Sequence, residues 1–167
     1  MGGASTRFGS PKALAELDGE TLAERGWRVL GELCTERIAV GKAADVPPLP
    51  FPVLDDGSDA RAPIAGAVAA LRAASHDVCV MLPVDCPLVS TELLGELADA
   101  CLDVAVPQTG PLPGAYRSTA LGALERALRS GELALREAIR ALRVAVVPCD
   151  PSLLVNVNTP EELERLR

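Results

Sequence analysis

The sequence predicts an α/β domain of three layers, α/β/α, in which a Rossmann-like, mostly parallel mixed sheet lies between two layers of helices. Strand and helix signals alternate along the chain, and the segment 77–83 is apolar like a strand buried on both faces of a parallel sheet. No internal repeat divides the 167 residues, so we expect residues 1–167 to form a single domain. In such folds ligands bind beyond the carboxyl ends of the strands.

The first half of the chain carries the signals of two helices and three strands. Residues 17–20 are typical of a turn, and Thr21 with Glu24 forms a capping box that begins the first helix. Pro63 fits the first turn of the second helix. The predicted helices run from these residues to about 34 and 74, and the predicted strands span 37–40, 51–54 and 77–83.

The second half continues the alternation. Ser90 is a good N-cap for a helix that carries inward-facing leucines as far as Cys101. Thr159, Pro160 and Glu162 combine an N-cap, a proline at the first helical position and a capping glutamate for the last helix. Between them, helices are predicted at about 119–130 and 134–142, and strands at 104–107, 114–116, 144–147 and 153–155.

Composition excludes several classes of function. The net charge is −7 with an isoelectric point near 4.8, and no basic stripe is present, so a nucleic acid partner is not expected. No apolar run reaches the roughly 20 residues of a membrane helix, and no signal peptide pattern opens the chain. We therefore expect a cytoplasmic protein that does not bind membranes.

The five cysteines predict neither disulfides nor a zinc site, because their number is odd and no C-x-x-C pair occurs. We expect reduced, mostly buried thiols. Cys86 stands beside Asp85, but no recognisable motif positions a histidine to activate it, so a catalytic thiol is not expected.

The opening segment, residues 1–12, is rich in glycine and small polar residues and carries two cations, Arg7 and Lys12. This combination suits a loop that binds phosphate through backbone amides. It is not a Walker A loop, because Pro11 precedes Lys12 and Ala13 follows it, and it is not a G-x-G-x-x-G fingerprint. Taken alone, the composition is also typical of a turn-rich chain terminus.

Polar side chains follow predicted strands at the ligand-binding edge of the sheet. Asp85 comes directly after the apolar strand, where a hard cation and phosphates can meet, and Asp56 follows the strand 51–54. Asn156 and Asn158 precede the last helix, where their amides could ligate a cation or hold backbone. Position alone also allows capping or turn roles for Asp85 and for both asparagines.

Four motifs occur in order along the chain, and together they resemble the molybdenum cofactor guanylyltransferases, the MobA family of nucleotidyltransferases with a GT-A-like fold. The resemblance covers residues 1 to about 165. The motifs are Gly2-Gly3-x-Ser5-x-Arg7-Phe8-Gly9-x-x-Lys12-Ala13-Leu14, Pro63-Ile-Ala-Gly66, Leu82-Pro-Val-Asp85-Cys-Pro87 and Asn156-Val-Asn-Thr-Pro-Glu161.

The resemblance implies transfer of GMP from magnesium-GTP to the terminal phosphate of molybdopterin, with release of pyrophosphate and formation of molybdopterin guanine dinucleotide. The implied cofactor is Mg²⁺, or Mn²⁺ in its place. The implied partners are GTP and molybdopterin, with transient contacts to proteins of cofactor biosynthesis or molybdoenzyme maturation.

The resemblance also implies roles for individual residues. The implied catalytic residues are Arg7, Lys12 and Asp85, and Asp85 is the implied metal ligand. Asn156 and Asn158 would complete the pterin or metal side of the site. The implied nucleotide-binding residues are Met1, Gly2, Gly3, Lys12, Asp56 and Asp85.

Three positions depart from the family pattern. In the family a hydrophobic first strand precedes the glycine loop, whereas this sequence begins at Met1. Either the true start lies farther upstream, which we favour, or the protein lacks a central strand; for the chain as written we expect poor stability, because its sheet would have an unfilled gap. Val40-Gly41-Lys42 replaces a segment that usually contains asparagine, which leaves the guanine preference open. Ala62 replaces a glycine and should be tolerated.

Other functions remain compatible with the sequence. A molybdopterin cytidylyltransferase or a sugar-phosphate nucleotidyltransferase would share the glycine-rich loop and the metal-binding aspartate, although the segment 63–66 favours the guanylyl branch. A catalytically silent nucleotide-binding paralogue is the alternative from another class. The presence of both Lys12 and Asp85 argues against it.

Overall fold

The structure is a computed structural model in which residues 11–45 and 47–167 are described. The helices are α1 (Leu22–Leu33), α2 (Pro63–Ala73), α3 (Thr91–Ala100), α4 (Leu121–Arg129), α5 (Leu135–Ala138) and α6 (Pro160–Glu164). The strands are β1 (Glu16–Leu17), β2 (Glu20–Thr21), β3 (Ala39–Gly41), β4 (Val53–Asp55), β5 (Val78–Met81), β6 (Val104–Pro107), β7 (Gly114–Arg117) and β8 (Val144–Val147). Single 3₁₀ turns lie at Lys12–Leu14, Ala43–Asp45, Ser118–Ala120 and Pro151–Leu154.

The main sheet is mixed, as the sequence predicts, but two of its three strand pairings are antiparallel because β7 lies between β5 and β6. Its strand order is β5-β7-β6-β8, and β7 is the one strand that runs opposite to its neighbours. In the described part of the chain, β3 and β4 form a separate parallel pair. β1 and β2 form a hairpin whose turn residues, Asp18 and Gly19, both have positive φ angles. Gly19 tolerates this left-handed conformation because it has no Cβ.

Helix packing on both faces of the main sheet gives the three layers, and the predicted fold class is confirmed. On one face Val104 and Tyr116 pack against α2 and α4, represented by Ile64 and Leu124. On the other face Ala105 and Ala115 pack against residues of α1 and α3, including Val29, Leu94 and Leu97. Adjacent residues of one strand thus pack against opposite helix layers, because successive side chains point to opposite faces of a sheet.

The helix starts follow the sequence signals. Capping boxes are present at Thr21 with Glu24 and at Thr159 with Glu162: each threonine side chain accepts from the glutamate amide, and each glutamate side chain accepts from the threonine amide. The Ser90 side chain accepts from the Leu93 amide, and Pro63 is the first residue of α2. These caps satisfy amides that have no partner within the helix.

Three expectations were wrong in detail. The predicted strand 153–155 is replaced by the 3₁₀ turn Pro151–Leu154, because the Asp150 side chain accepts from the Ser152 amide and starts a helical turn. The predicted helix 134–142 is helical only over α5, after which Arg140 and Leu142 make i→i−3 bonds. β5 is half-buried rather than fully buried, because it borders a cleft.

The cysteines are less buried than the sequence predicts. All five thiols are free, but only Cys86 and Cys101 are buried, so the expectation of mostly buried thiols was wrong. Cys34 and Cys79 are partly exposed because they line the cleft.

Within the described ranges, the helices are too short or too polar to span a bilayer.

Candidate active site

Lys12 is positioned by a 3₁₀ turn just ahead of the β1–β2 hairpin. The Leu14 amide donates to the Pro11 carbonyl and the Ala15 amide donates to the Lys12 carbonyl. Ala13 is buried, which anchors the turn on the core. The Lys12 Nζ lies 3.4 Å from Asp85 Oδ2 and donates to Asn158 Oδ1 at 2.9 Å. One ammonium group therefore joins segments that are 73 and 146 residues away in sequence.

Asp85 lies in the loop that follows β5, and this loop is held from two sides. The Val157 amide donates to the Asp85 carbonyl at 2.8 Å. The Arg25 side chain of α1 donates to the Pro87 carbonyl at 2.8 Å. With its backbone held in this way, Asp85 can present its carboxylate in one direction. That side chain is 30% exposed, so it is accessible to a ligand.

The asparagines flank a buried residue. Val157 is fully buried among Leu17, Leu22 and Leu163, whereas Asn156 and Asn158 are exposed on either side of it. Glu162 accepts from the Asn158 amide at 2.6 Å and so extends the α6 capping box to the residue that contacts Lys12. A hydrophobic anchor and a helix cap together place both amide side chains.

The oxygen atoms brought together at Lys12 suit a hard cation that also binds phosphates. Asp85 supplies a carboxylate, and Asn156 and Asn158 supply amide oxygens from the facing segment. Within residues 11–45 and 47–167, no three His, Cys, Asp or Glu side chains cluster as a metal site. Mg²⁺ is commonly held by one or two carboxylates together with substrate phosphates and water, so this donor set fits a magnesium ion shared with a nucleotide.

Cys86 is buried beside Asp85 and contacts Asn156. Burial, followed by the negative charge of Asp85, raises the pKa of the Cys86 thiol to about 12. The thiol donates a hydrogen bond to Asn156 Oδ1 at 2.9 Å, so it supports the asparagine instead. A thiol with so high a pKa stays neutral at physiological pH.

A second Lys–Asp pair was not anticipated from the sequence. Lys42 Nζ lies 2.7 Å from Asp56 Oδ1, and the two side chains are only 11% and 5% exposed. The parallel register pairs Gly41 with Asp55, which brings the next residue of each strand, Lys42 and Asp56, side by side. The amino-acid composition offered one signal for this pair. The 167 residues contain only two lysines, and each of them lies in a Lys–Asp pair.

Both pairs line one cleft of about 1580 Å³, bordered by α1, α2 and the strands β3 and β5. The lining residues include Lys12, Lys42, Asp56, Asp85 and Asn156. Lys42, Asp56 and Asp85 lie in this cleft after the carboxyl ends of β3, β4 and β5, which is where parallel strands bind ligands. The predicted site residues Met1, Gly2, Gly3 and Arg7 lie outside the described residues.

The sequence is similar to enzymes of molybdenum cofactor synthesis. The model of the MobA-like NTP transferase domain matches residues 1–146. A probable molybdenum cofactor guanylyltransferase from Opitutus terrae is 34% identical over 99% of this chain and 91% of its own length. The molybdenum cofactor guanylyltransferase of Desulfosudis oleivorans is 30% identical over 98% of this chain and 90% of its own length.

Solved structures share the fold. Molybdopterin-guanine dinucleotide biosynthesis protein A from Archaeoglobus fulgidus superposes with a TM-score of 0.79 at 26% identity, over 99% of this chain and 93% of that one. The 2-C-methyl-D-erythritol 4-phosphate cytidylyltransferase from Thermus thermophilus superposes with a TM-score of 0.77 at 21% identity, over 96% and 93%. The second likeness concerns the fold alone.

Proposed function

The chain belongs to the MobA-like NTP transferase family, and we propose that it transfers GMP from magnesium-GTP to the terminal phosphate of molybdopterin. An oxygen of the acceptor phosphate forms a bond to the α-phosphorus, and the bond from the α-phosphorus to the oxygen bridging to the β-phosphate breaks. Pyrophosphate leaves, and molybdopterin guanine dinucleotide forms. The observation that carries this proposal is the contact of Lys12 with both Asp85 and Asn158 at the cleft.

Lys12 binds the triphosphate in this proposal. Its ammonium donates to Asp85 and to Asn158, and an incoming phosphate oxygen can replace the side-chain oxygen of Asn158 with little rearrangement. The charge acts both on the bound nucleotide and on the negative charge that develops on the departing pyrophosphate. Asn158 aligns Lys12 until the nucleotide binds.

Asp85 holds the cation, and Asn156 and Asn158 face the pterin or metal side. Bound Mg²⁺ neutralises phosphate charge and makes the α-phosphorus more electrophilic. The acceptor phosphate is already an anion, so no side chain has to remove a proton from it. The work of these residues is therefore positioning and charge neutralisation. We further propose that residues 1–167 act as one catalytic domain in the cytoplasm, and that product passes to maturation proteins through transient contacts.

CTP is the second candidate nucleotide. Lys42 stands in the segment where the resembling guanylyltransferases carry an asparagine, so the base preference needs a direct measurement. A sugar-phosphate acceptor is tested in the same way. A silent paralogue is disfavoured because Lys12 and Asp85 are in contact at an accessible site.

The test is pyrophosphate release by the purified chain with magnesium, molybdopterin and each nucleoside triphosphate in turn. We expect turnover with GTP and a dinucleotide product of the corresponding mass. Equal use of CTP, or turnover with a sugar phosphate instead of molybdopterin, would contradict the guanylyl assignment. Manganese in place of magnesium tests the choice of cation.

A further inference from the structure

The Lys42–Asp56 pair has no part in the proposed phosphate chemistry, yet it lines the same cleft. Asp56 Oδ1 accepts from Lys42 Nζ at 2.7 Å and from the Ser58 amide at 3.0 Å. We propose that Lys42 is a positioning residue, which fixes the Asp56 carboxylate so that Oδ2 accepts a hydrogen bond from the nucleoside part of the nucleotide. This inference rests on the proposed function for the identity of the ligand.

Lys42 fixes the carboxylate because it closes a ring of contacts. Its ammonium donates to Asp56 Oδ1 and also to the Ser58 carbonyl, while the Ser58 amide donates back to Oδ1. The Asp56 amide donates to the Gly41 carbonyl at 3.0 Å, which holds the backbone beneath the pair. Rotation of the carboxylate would break two hydrogen bonds to one oxygen at a nearly buried position, and this is unfavourable.

The second carboxylate oxygen faces the cleft. Of the described residues, none donates a hydrogen bond to Asp56 Oδ2, whereas Oδ1 accepts two. The described part of the chain has no buried side-chain nitrogen or oxygen that lacks a partner. Oδ2 is therefore reached from the cleft, where a ligand can donate to it.

A carboxylate oxygen at this position can bind the nucleoside part of a nucleotide but not its phosphates. A carboxylate oxygen only accepts hydrogen bonds, and phosphate oxygens at neutral pH are acceptors too. The charge of Lys42 is already matched by Asp56, so the pair adds no net positive charge for an anion. A nucleoside carries N–H groups on the base and O–H groups on the ribose, and either can donate to Oδ2.

The experiment compares binding of nucleoside triphosphates with binding of inorganic triphosphate. Trp27, the single tryptophan, lines the cleft and provides a fluorescence signal, with calorimetry as a second readout. We expect Lys42→Met to raise the Kd of the preferred nucleoside triphosphate by about tenfold to a hundredfold, as for a lost hydrogen bond to a charged group. The Kd of inorganic triphosphate should change less than about twofold, and Lys42→Arg should recover part of the nucleotide affinity.

Control variants separate positioning from loss of structure. Lys12→Met should weaken both ligands, which shows that triphosphate binding can be perturbed. If Lys42→Met folds poorly, Lys42→Arg carries the test, and it should lose part of the nucleotide affinity while its affinity for inorganic triphosphate stays within about twofold of the native value. The 2′-deoxy nucleotide and the inosine nucleotide identify the donor, because the analogue that lacks it should no longer respond to Lys42→Met.

Several outcomes would overturn the inference. Equal weakening of both ligands would make Lys42 a phosphate ligand or a general structural residue. Unchanged nucleotide affinity in Lys42→Met would show that the carboxylate needs no positioning. The inference also fails if the native chain binds nucleoside triphosphates no tighter than inorganic triphosphate. Tight nucleotide binding without pyrophosphate release would refute the proposed transfer reaction but leave the Lys42 result valid.

Discussion

The two Lys–Asp pairs of the cleft have the same chemistry but different environments. The Lys12–Asp85 contact is 3.4 Å long, with side chains 16% and 30% exposed, and Lys12 also contacts Asn158. The Lys42–Asp56 contact is 2.7 Å long, with side chains 11% and 5% exposed. A loose, accessible pair can exchange partners with an incoming ligand, whereas a tight, buried pair keeps its geometry. This difference supports the two proposed roles, phosphate and metal binding for the first pair and positioning for the second.

The largest effect is expected at the accessible carboxylate. Asp85→Asn should lower kcat for pyrophosphate release by about a hundredfold to a thousandfold, because it removes the charge that holds the cation. Nucleotide affinity should fall much less. Asp99→Asn, at an exposed position of α3, is the matched control and should behave like the native chain. Activity of Asp85→Asn close to the native value would exclude Asp85 as the metal ligand.

Lys12→Met should reduce kcat/KM by about tenfold to a hundredfold through both parameters, since the ammonium meets ground-state and developing charge. Steady-state kinetics over a range of GTP concentrations provides the test. A change in KM alone would limit Lys12 to binding.

The two pairs should also differ in stability. Lys42→Met leaves the nearly buried Asp56 without its cation and should lower the free energy of unfolding by about 2–4 kcal/mol. Lys12→Met disrupts a more accessible pair and should lower it by less than about 1 kcal/mol. Urea denaturation followed by circular dichroism measures both values. Similar losses in the two variants would remove the proposed distinction.

A third ion pair, Asp103–Arg143, gives the smallest expected effect and lies outside the cleft lining. Hydrogen bonds from Arg143 hold the pKa of the Asp103 carboxyl well below its usual range. Because folding lowers the pKa of Asp103, the ion pair stabilises the folded state above the pKa of an unfolded aspartate, about 3.9. This stabilisation is lost as the pH falls from that value through the lower pKa of the folded state. Arg143→Met should therefore reduce the acid sensitivity of the unfolding midpoint, while leaving activity at neutral pH unchanged.

Sequence patterns predicted the starts of four helices well because capping signals are local. Thr21, Ser90, Pro63 and Thr159 each begin the helix expected from their caps. The position of β7 between β5 and β6 is determined by tertiary packing, and the alternation of strands and helices along the chain does not predict it. Sequence reasoning failed at residues 153–155 because apolar side chains favour a strand, whereas a local Asp150 hydrogen bond starts a 3₁₀ turn.

Sequence motifs identified the residues that meet at Lys12, but they did not identify the Lys42–Asp56 pair. Lys12, Asp85 and Asn158 were each singled out from the sequence, and the structure brings them into contact. Lys42 was regarded only as a departure from the family pattern. Its partner becomes clear from the parallel register of β3 and β4, which sequence periodicity does not specify for three-residue strands.

The buried Val157 determines how much chain the site needs. The family match ends at residue 146, yet the Val157 amide donates to the Asp85 carbonyl, and its side chain packs on Leu17 and Leu22. The segment after β8 therefore holds the Asp85 loop of the candidate site and also supports the β1–β2 hairpin. We expect a chain shortened to residue 146 to release the Asp85 loop and lose nucleotide transfer, even though it retains every residue of the matched family region.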